Sequence, residues 1–468
     1  MKTSIVVVTK DQLPYTRLCL DSVRIHTRES YELIVVDNAS TDGTHEYLAA
    51  LAAETEAARA GGDAFAPEVK VIFNDLNAGF PKACNQGLRA ATGETIALLN
   101  NDMIVTPGWL TNLLGCLTAT GAGMVGAMSN MISGLQRVDA SYDSAESLER
   151  FAAEFNRADR GKWRPTVRLG GGGLLLRREV LDQVGDFDES FTPGNFEDDD
   201  LSLRVVRAGF ALFIAGDTFI HHFGGVTLGR GQDYADLLRR NADHFRAKWA
   251  TDDATVAYLR QPVADAIPAG ARHVLDLRCG AGALGLDLKS KGAARVVGVE
   301  TSPLLAAVAS RSLDHVAVGE PAMVPLPYVS GYFDVVVAEE AFERAADPRS
   351  LLTRINDWLA PGGQLVTTVM NVASLNTLVE LLRGSWRHGD TVLPGFLHFF
   401  TKKTFLETLA DAGFEAIGVQ ETVANLDQRG LDVLLALAEL SRIHGLSDGD
   451  VAHQWQVLSF LVTARKKH

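Results

Sequence analysis

The sequence predicts an α/β protein with two domains, each built on a mostly parallel sheet that helices cover on both faces. Short apolar segments rich in Ile, Val and Leu alternate with amphipathic segments, and this alternation occurs in two separate series. The chain has 468 residues, enough for two or three domains at about 150 residues each. Hydrophobic residues make up 47% and charged residues 22%, which excludes a largely disordered chain.

The first series begins close to the N-terminus. Buried strands are predicted at residues 4–9, 32–37, 70–74 and 95–100, with helices at about 14–25, 43–58, 81–91 and 107–119. Pro81 and Pro107 support two of the helix starts, because the first turn of a helix tolerates proline. In such a sheet, ligands bind beyond the carboxyl ends of the strands.

The second series begins near residue 272. Its strands are predicted at residues 274–277, 296–299, 332–337 and 364–369. Pro262 and Pro268 lie between the two series and mark the boundary. We therefore predict a first domain at residues 1–250, a linker at 251–267 and a second domain at 268–468.

The charge balance limits the possible partners. The formal net charge is −14 and the isoelectric point is about 5.3. Because phosphate contacts along a duplex need clustered positive charge, we expect no nucleic-acid partner. Phosphorylated small molecules remain possible ligands, since a helix N-terminus, a few basic groups or a metal can hold them.

The cysteines and the apolar segments predict a soluble, cytoplasmic protein. The four cysteines lie far apart without a CxxC pair, which favours reduced thiols over a disulfide framework. The N-terminal apolar stretch reaches Lys10 and Asp11 too soon for a signal peptide. No apolar run approaches the roughly 18 residues that a membrane span requires.

Acidic side chains follow two strands of the first series. Asp37 ends the second strand, where a carboxylate can accept from ribose hydroxyls or a base edge, or can simply close an Asx-turn before the next helix. Asp102 follows the fourth strand directly. A hard cation such as Mg²⁺ or Mn²⁺ prefers such oxygen ligands.

Three further features occur later in the first domain. Four glycines at residues 170–173, four carboxylates at 197–200, and His221 with His222 follow one another along the chain. Asp199 and Asp200 can simply favour the start of a helix predicted at residues 201–208. A histidine near a strand-end aspartate is a plausible metal ligand.

Taken in order, these residues resemble family 2 inverting glycosyltransferases of the GT-A fold, over about residues 3–230. The resemblance extends to bacterial transferases that use dTDP-rhamnose and similar donors for surface polysaccharides. The matching motifs are SIVVVT (4–9), VVDNASTDG (35–43), NAGF (77–80), NQG (85–87), NND (100–102) and EDDD (197–200).

The resemblance implies a set of site residues. Asp198 is implied as the catalytic base, and Asp102 with His222, rather than His221, as ligands of Mg²⁺ or Mn²⁺. A dTDP-, UDP- or GDP-linked donor is implied to contact Thr9, Asp37, Asn77, Lys82, Asn100, Asn101 and Glu197. The acceptor is a glycan or glycoprotein, and residues 129–168 with Trp163 are expected to shape its site. Asn100 departs from the pattern, which often has Asp there.

The second domain resembles class I S-adenosylmethionine-dependent methyltransferases over about residues 268–468. The matching segments are VLDLRCGAG (274–282), Glu300, GYFDVVV (331–337) and LAPGG (359–363). S-adenosylmethionine is implied as the cofactor, held by Asp276, Gly280, Gly282 and Glu300. Arg278 replaces the first glycine of the usual loop, and Arg344 stands where many relatives have His.

Several functions therefore remain open. The chain is a glycosyltransferase with an active methyltransferase domain, or one whose second domain serves binding, docking or oligomerisation. A binding protein with both folds degenerate is a further alternative, against which the complete motif set argues. A nucleotidyltransferase would need a Gly-rich loop after the first strand, and residues 10–14 lack it. The oligomeric state is not predicted.

Overall fold

The computed structural model describes residues 2–63, 66–225, 232–384, 395–445 and 451–467. The chain forms two compact units, Met1–Lys248 and Trp249–His468, and the prediction of two α/β domains is confirmed. All four cysteines are buried free thiols. Within the described ranges, no helix combines the length and apolar character needed to cross a membrane.

The first unit contains nine strands and eight α-helices among its described residues. The strands are β1 Thr3–Thr9, β2 Tyr31–Asp37, β3 Glu68–Phe73, β4 Thr95–Asn100, β5 Met103–Val105, β6 Met124–Ser129, β7 Trp163–Thr166, β8 Leu174–Arg177 and β9 Leu212–His222. The helices are α1 Leu13–His26, α2 Thr44–Ala60, α3 Phe80–Ala90, α4 Trp109–Thr120, α5 Ala145–Phe155, α6 Arg178–Val184, α7 Glu197–Arg207 and α8 Gln232–Trp249. Three 3₁₀ helices are Gly134–Gln136, Arg160–Lys162 and Glu189–Phe191.

These strands form one sheet in the order β3-β2-β1-β4-β8-β6-β9-β5, with β7 also paired to β9. Strands β3, β2, β1 and β4 are parallel, and β8 is antiparallel to both β4 and β6. Helices α1 and α4 contribute Leu20 and Trp109 to a core that also contains Ile5 and Val35 from the sheet. The parallel strands therefore end together at one edge.

The start of α7 differs from the prediction. The sequence suggested a helix beginning near residue 201, whereas α7 begins at Glu197 and includes the four carboxylates in its first turn. Negative side chains are favourable there because the helix N-terminus carries a partial positive charge and unpaired N–H groups.

Among its described residues, the second unit contains seven strands in the order β12-β11-β10-β13-β14-β16-β15. The strands are β10 His273–Leu277, β11 Arg295–Glu300, β12 His315–Val318, β13 Phe333–Ala338, β14 Leu359–Met370, β15 Phe414–Val423 and β16 Val457–Lys466. The helices are α9 Gln261–Ala266, α10 Ala283–Ser290, α11 Pro303–Ala309, α12 Ala341–Arg344, α13 Pro348–Trp358, α14 Leu375–Leu382, α15 Lys402–Asp411, α16 Gln428–Ile443 and α17 Val451–Gln456. Only the pairs made by β16 are antiparallel.

Residues 251–267, for which the sequence suggested a linker, contain α9. Val263 and Ile267 pack in a buried cluster with Val274 and Leu288 of the second unit. This segment is therefore part of the second unit.

A buried carboxylate joins β2 to the start of β1 and to the turn before β4. Glu32 is fully buried and accepts hydrogen bonds from Ser4 Oγ at 2.6 Å, Thr92 N at 2.5 Å, Lys2 Nζ at 3.1 Å and Lys70 Nζ at 2.9 Å. Burial alone would raise the pKa of the Glu32 carboxyl, but these hydrogen bonds outweigh it and hold the pKa well below its usual range.

We expect Glu32→Gln to lower the free energy of unfolding of the first unit by roughly 1.5–3 kcal/mol, the range for hydrogen bonds to a charged group. Because the folded-state pKa lies below that of the unfolded chain, the stabilisation is fully present above about pH 4.3 and is lost as the pH falls further. Hydrogen exchange of the β1 and β2 amides, measured at several pH values, reports this difference.

Glu68→Gln is the matched control. Glu68 contacts the same two lysines, at 3.1 and 3.3 Å, but its side chain is 34% exposed, so its loss should cost less than about 1 kcal/mol. Equal losses in the two variants, or a Glu32 effect that is unchanged in acid, would contradict the prediction.

Candidate functional site

The carboxyl ends of β1, β2 and β4 lie side by side and carry the first group of predicted site residues. Thr9 pairs with Asp37, and Asn100 lies opposite the residue before Thr9. The Asn101 amide donates to the hydroxyls of Thr9 and Thr16 at 3.1 and 3.0 Å. The hydrogen bond between Thr9 and Asn101 therefore stabilises this edge. Asn100 Oδ1, in contrast, is buried without a hydrogen-bond partner among the described residues.

Asp37 fits both roles that the sequence left open. Its Oδ1 accepts from Ser40 N at 3.0 Å, which closes the turn before α2. Its Oδ2 lies 3.6 Å from Nδ1 of His45. The carboxylate is 1% exposed, so the turn role is the one that the contacts show, and the nucleotide role stays a prediction.

Asn77 belongs to the same edge through the neighbouring Asn38. The Asn38 amide donates to Asn77 Oδ1 at 2.7 Å, and Gly79 N donates to the same oxygen at 3.0 Å. Lys82 lies exposed in the first turn of α3. Asn38 was not assigned a site role from the sequence, although its position directly after Asp37 at a strand end was the available signal.

Asp102 and His222 are brought together by the pairing of β5 with β9, in which Met103 lies opposite His222. Asp102 Oδ1 lies 3.1 Å from His222 Nε2. The other ring nitrogen, Nδ1, lies 2.7 Å from the carbonyl oxygen of Met131, which can only accept. Nδ1 therefore carries the hydrogen, and a neutral ring presents the Nε2 lone pair to the carboxylate.

Two acceptor atoms as close as Asp102 Oδ1 and His222 Nε2 need a cation that both of them contact, either a shared proton or a metal ion. Burial lowers the pKa of His222, but Asp102 and the Met131 carbonyl raise it by more. No cluster of three or more His, Cys, Asp or Glu side chains suited to a metal occurs in the described part of the chain. One carboxylate and one imidazole still fit a Mg²⁺ or Mn²⁺ ion whose other ligands come from a diphosphate and water.

His221 lies in a different environment from His222. Its Nδ1 is 2.5 Å from the hydroxyl of Tyr142, and its ring packs edge-on against Phe223. Burial lowers the pKa of His221. The geometry therefore associates His222, and not His221, with Asp102.

Two of the four carboxylates at the start of α7 are paired with basic side chains. Asp199 accepts a hydrogen bond from Arg168 Nε. Asp200 accepts from Arg204 Nε at 2.8 Å and lies 2.8 Å from Lys248 Nζ. These two aspartates therefore have a structural role, which is the alternative that the sequence had allowed for them.

The other two carboxylates differ in burial. Glu197 is buried, and its Oε2 has no hydrogen-bond partner within the described ranges. Burial, followed by the charge of Asp198, raises the pKa of Glu197 well above its usual range. Asp198 is only partly buried and accepts from Gly171 N at 2.7 Å and Asp199 N at 2.9 Å.

The glycine run at residues 170–173 joins the two groups of acidic residues. Gly171 donates to Asp198, and a Cβ on Gly172 would lie 2.6 Å from Met103 Cε. A side chain at Gly172 would require the terminal methyl group of Met103, the residue that follows Asp102, to move. Asp198 thus contacts one glycine of the run, and the side chain of Met103, which follows Asp102 and pairs with His222, lies close to the next one.

Left-handed backbone conformations occur next to both groups. Asp11, Gln12 and Ala39 have φ of 53°, 63° and 66° at the strand-end edge, and Asn195 and Phe196 have φ of 74° and 73° just before α7. Each such conformation costs about 1–3 kcal/mol and is found mostly where function requires it.

Residues 129–168 contribute to the site at several points, since Tyr142 contacts His221 and Arg168 donates to Asp199. Asn130 exchanges two hydrogen bonds with the backbone of His222, at 2.9 and 3.0 Å. No local pattern could have revealed this contact, because 92 positions separate Asn130 from His222. Trp163 pairs with Ala215 and donates to Asp217 at 2.9 Å, which places it roughly 20 Å along β9 from His222.

In the second unit, the glycine loop is bonded to the end of β11. Glu300 Oε2 accepts from Gly280 N and Oε1 accepts from Ser302 N, both at 2.8 Å. Asp276 is buried at the same edge, where burial raises its pKa well above the usual range. Gly282 has φ of 85°, and a Cβ there would lie 2.8 Å from Leu313.

The space beside these residues is small. The cavity lined by Asp276, Gly280 and Glu300 has a volume of about 60 Å³, whereas sites for small-molecule cofactors measure about 300–1,000 Å³. Val256 O lies across the loop, accepts from Ala281 N at 3.0 Å and would be 2.5 Å from a Cβ on Gly280. The residue types fit S-adenosylmethionine, but the space in this conformation does not.

Two family models match the chain. The model described as glycosyl transferase family 2 matches residues 4–185, and a methyltransferase-domain model matches residues 231–419. The first match includes the strand ends and the glycine run, and the second includes the glycine loop with Glu300.

Curated relatives resemble parts of the chain. The uncharacterized protein Rv1525 of Mycobacterium tuberculosis is 31% identical over 40% of this chain and 72% of its own length. The uncharacterized protein y4gI of Sinorhizobium fredii is 26% identical over 53% of this chain, which spans only 28% of that relative. The O-antigen biosynthesis protein RfbC of Myxococcus xanthus is 28% identical over 47% of this chain and 17% of its own length.

Among solved structures, the mannosyltransferase PcManGT of Pyrobaculum calidifontis, in complex with GDP-Man and Mn²⁺, is 21% identical. The similarity covers 53% of this chain and 63% of that chain, with a TM-score of 0.38.

Proposed function

Because the chain belongs to the family 2 glycosyl transferases through its first unit and carries a methyltransferase domain in its second, we propose that the first unit transfers a sugar with inversion of configuration. The donor is a nucleotide-diphosphate sugar linked to dTDP, UDP or GDP, and the acceptor is a glycan or glycoprotein. The observation that carries the proposal is that Asp198 accepts a hydrogen bond from Gly171, while Asp102 pairs with His222 and the next residue, Met103, has its side chain close to Gly172.

Asp198 is the base in this proposal. Direct displacement at the anomeric carbon requires the acceptor hydroxyl to lose its proton as it attacks from the face opposite the leaving group, and one carboxylate suffices. Asp199 and Asp200 are held by basic side chains, and burial raises the pKa of the Glu197 carboxyl, which favours its protonated form. Asp198 is therefore the carboxylate of this run that is placed to accept the proton.

Asp102 and His222 would hold the divalent ion at the diphosphate. A bound ion would supply stabilisation of the negative charge that develops on the leaving diphosphate. Thr9, Asp37 and Asn77 line the adjoining edge and would orient the nucleotide. Asn100, Asn101, Lys82 and Glu197 complete the donor set that the motifs imply.

The biological setting is surface polysaccharide synthesis. Two observations support this proposal, which are the motif resemblance and the similarity to an O-antigen biosynthesis protein. For the second unit we propose S-adenosylmethionine as the ligand, with Glu300 at its ribose and Asp276, Gly280 and Gly282 beside its methionine end. This binding requires the cavity to widen.

We expect Asp198→Asn to reduce turnover about 10²–10⁴-fold, the usual contribution of a general base, while donor affinity changes by less than about threefold. A thermal-shift panel of nucleotide sugars first identifies the donor. Hydrolysis of this donor, in which water replaces the unknown acceptor, then measures turnover as the nucleoside diphosphate that is released.

Glu197→Gln is the matched control for this substitution. Burial raises the pKa of Glu197 and favours its protonated form, which an amide resembles closely. We therefore expect a smaller loss of turnover than in Asp198→Asn. The opposite ranking would transfer the base role to Glu197, and near wild-type turnover in Asp198→Asn would refute the assignment.

We also expect Mn²⁺ to tighten the binding of the matching nucleoside diphosphate through His222. In calorimetry with the full chain, His222→Ala should remove at least about tenfold of that tightening, which corresponds to 1.4 kcal/mol. His221→Ala should retain it, because His221 faces Tyr142. Equal affinity in Mn²⁺ and in excess chelator for the wild-type chain would show that no ion is held there.

A further inference from the structure

The glycine loop of the second unit is covered by a segment of its own chain, residues 251–258, which we call the strap. Its contact with the loop is a main-chain hydrogen bond from Ala281 N to Val256 O. Thr251, Thr255 and Val256 of the strap line the 60 Å³ cavity together with Glu300. The strap therefore lies where a ligand would approach the loop.

Arg278 holds one oxygen of the strap residue Asp252. Its Nη2 lies 2.6 Å from Asp252 Oδ1, and its side chain is 14% exposed. The backbone of Arg278 has φ of 63°, a conformation that favours glycine. Glycine would relieve this conformation but could not reach Asp252.

Arg344 holds the other oxygen of the same carboxylate. Its Nη1 donates to Asp252 Oδ2, its Nη2 lies 3.3 Å from Glu340, and its side chain is 4% exposed. Its guanidinium lies over the ring of Phe396 at 4.8 Å. A Cβ on Gly395 would lie 2.8 Å from Nη1, so the chain closes tightly over this ion pair.

A third arginine, just beyond the strap, occupies the acidic edge that remains. Arg260 lies 3.5 Å from Asp253, 3.0 Å from Glu339 and 3.3 Å from Glu340. Asp276 lines the same cavity. A cationic ligand would have to compete with this guanidinium for the carboxylates at the ends of β10 and β13.

We propose that Asp252, Arg278 and Arg344 form a latch that holds the strap over the glycine loop and closes the second unit to a cofactor of the size of S-adenosylmethionine. Arg278 and Arg344 are the two positions at which this chain was found to depart from the methyltransferase pattern. Both arginines bind the carboxylate of Asp252. Opening the latch frees the Ala281 amide and widens the cavity. The choice of ligand rests on the function proposed above, whereas the latch itself rests on the ion pairs.

The test compares the full-length chain with the double variant Arg278→Gly, Arg344→His and with Asp252→Asn. Hydrogen exchange of the Ala281 amide reports opening of the strap without any ligand. Calorimetry with S-adenosylmethionine up to millimolar concentration reports access to the cavity. Arg349→His is the control, since it removes an exposed guanidinium and leaves the latch intact.

We expect Ala281 to exchange at least about tenfold faster in both latch variants than in the wild type and in the control. We also expect S-adenosylmethionine to bind the latch variants at least about tenfold more tightly, and a further Glu300→Gln change to reduce that binding. The double variant keeps the proposal falsifiable if Asp252→Asn fails to fold, because glycine suits the backbone at residue 278.

Two results would overturn the latch. One is unchanged exchange of Ala281 in folded variants, and the other is wild-type binding of S-adenosylmethionine as tight as that of the variants. Faster exchange without binding in any variant would support the latch and refute S-adenosylmethionine as the ligand.

Discussion

Several carboxylates lie at the carboxyl edge of each sheet, and their negative charge has to be balanced by hydrogen bonds, a proton or a cation. Which of these balances a given carboxylate determines what that side chain can do. Glu32, which lies away from that edge, shows the structural case, in which hydrogen bonds from hydroxyl, amide and ammonium groups satisfy both oxygens. An unpaired buried charge is costly, so a carboxyl without such partners keeps its proton or needs a cation.

In the first unit this constraint separates four neighbouring carboxylates into different roles. Asp199 and Asp200 are neutralised by arginine and lysine, and Glu197 is buried with a raised pKa. Asp198 keeps access to solvent and bonds only to backbone amides among the described residues. The same constraint acts on Asp102, whose Oδ1 lies 3.1 Å from His222 Nε2, a distance that suits a shared proton or a metal ion bound by both atoms.

In the second unit the chain supplies the compensating cations itself. Arg260, Arg278 and Arg344 pair with acidic residues around the glycine loop. These pairs stabilise the closed strap and also occupy the edge at which a ligand would bind. Stability and ligand access are thus opposed here, whereas in the first unit the basic side chains pair with Asp199 and Asp200 and leave Asp198 accessible.

The sequence alone determined the two α/β domains, most of the strands, and the strand-end positions of Asp37, Asp102 and Glu300, because alternation and strand-end chemistry are local patterns. It also singled out Arg278 and Arg344 as departures, but not their meeting on Asp252. Only the tertiary structure decided that meeting and the pairing of Asp199 with Arg168 and of Asp200 with Lys248. These depend on contacts between residues dozens of positions apart, where burial and the geometry of packed elements, and no local pattern, select the partner.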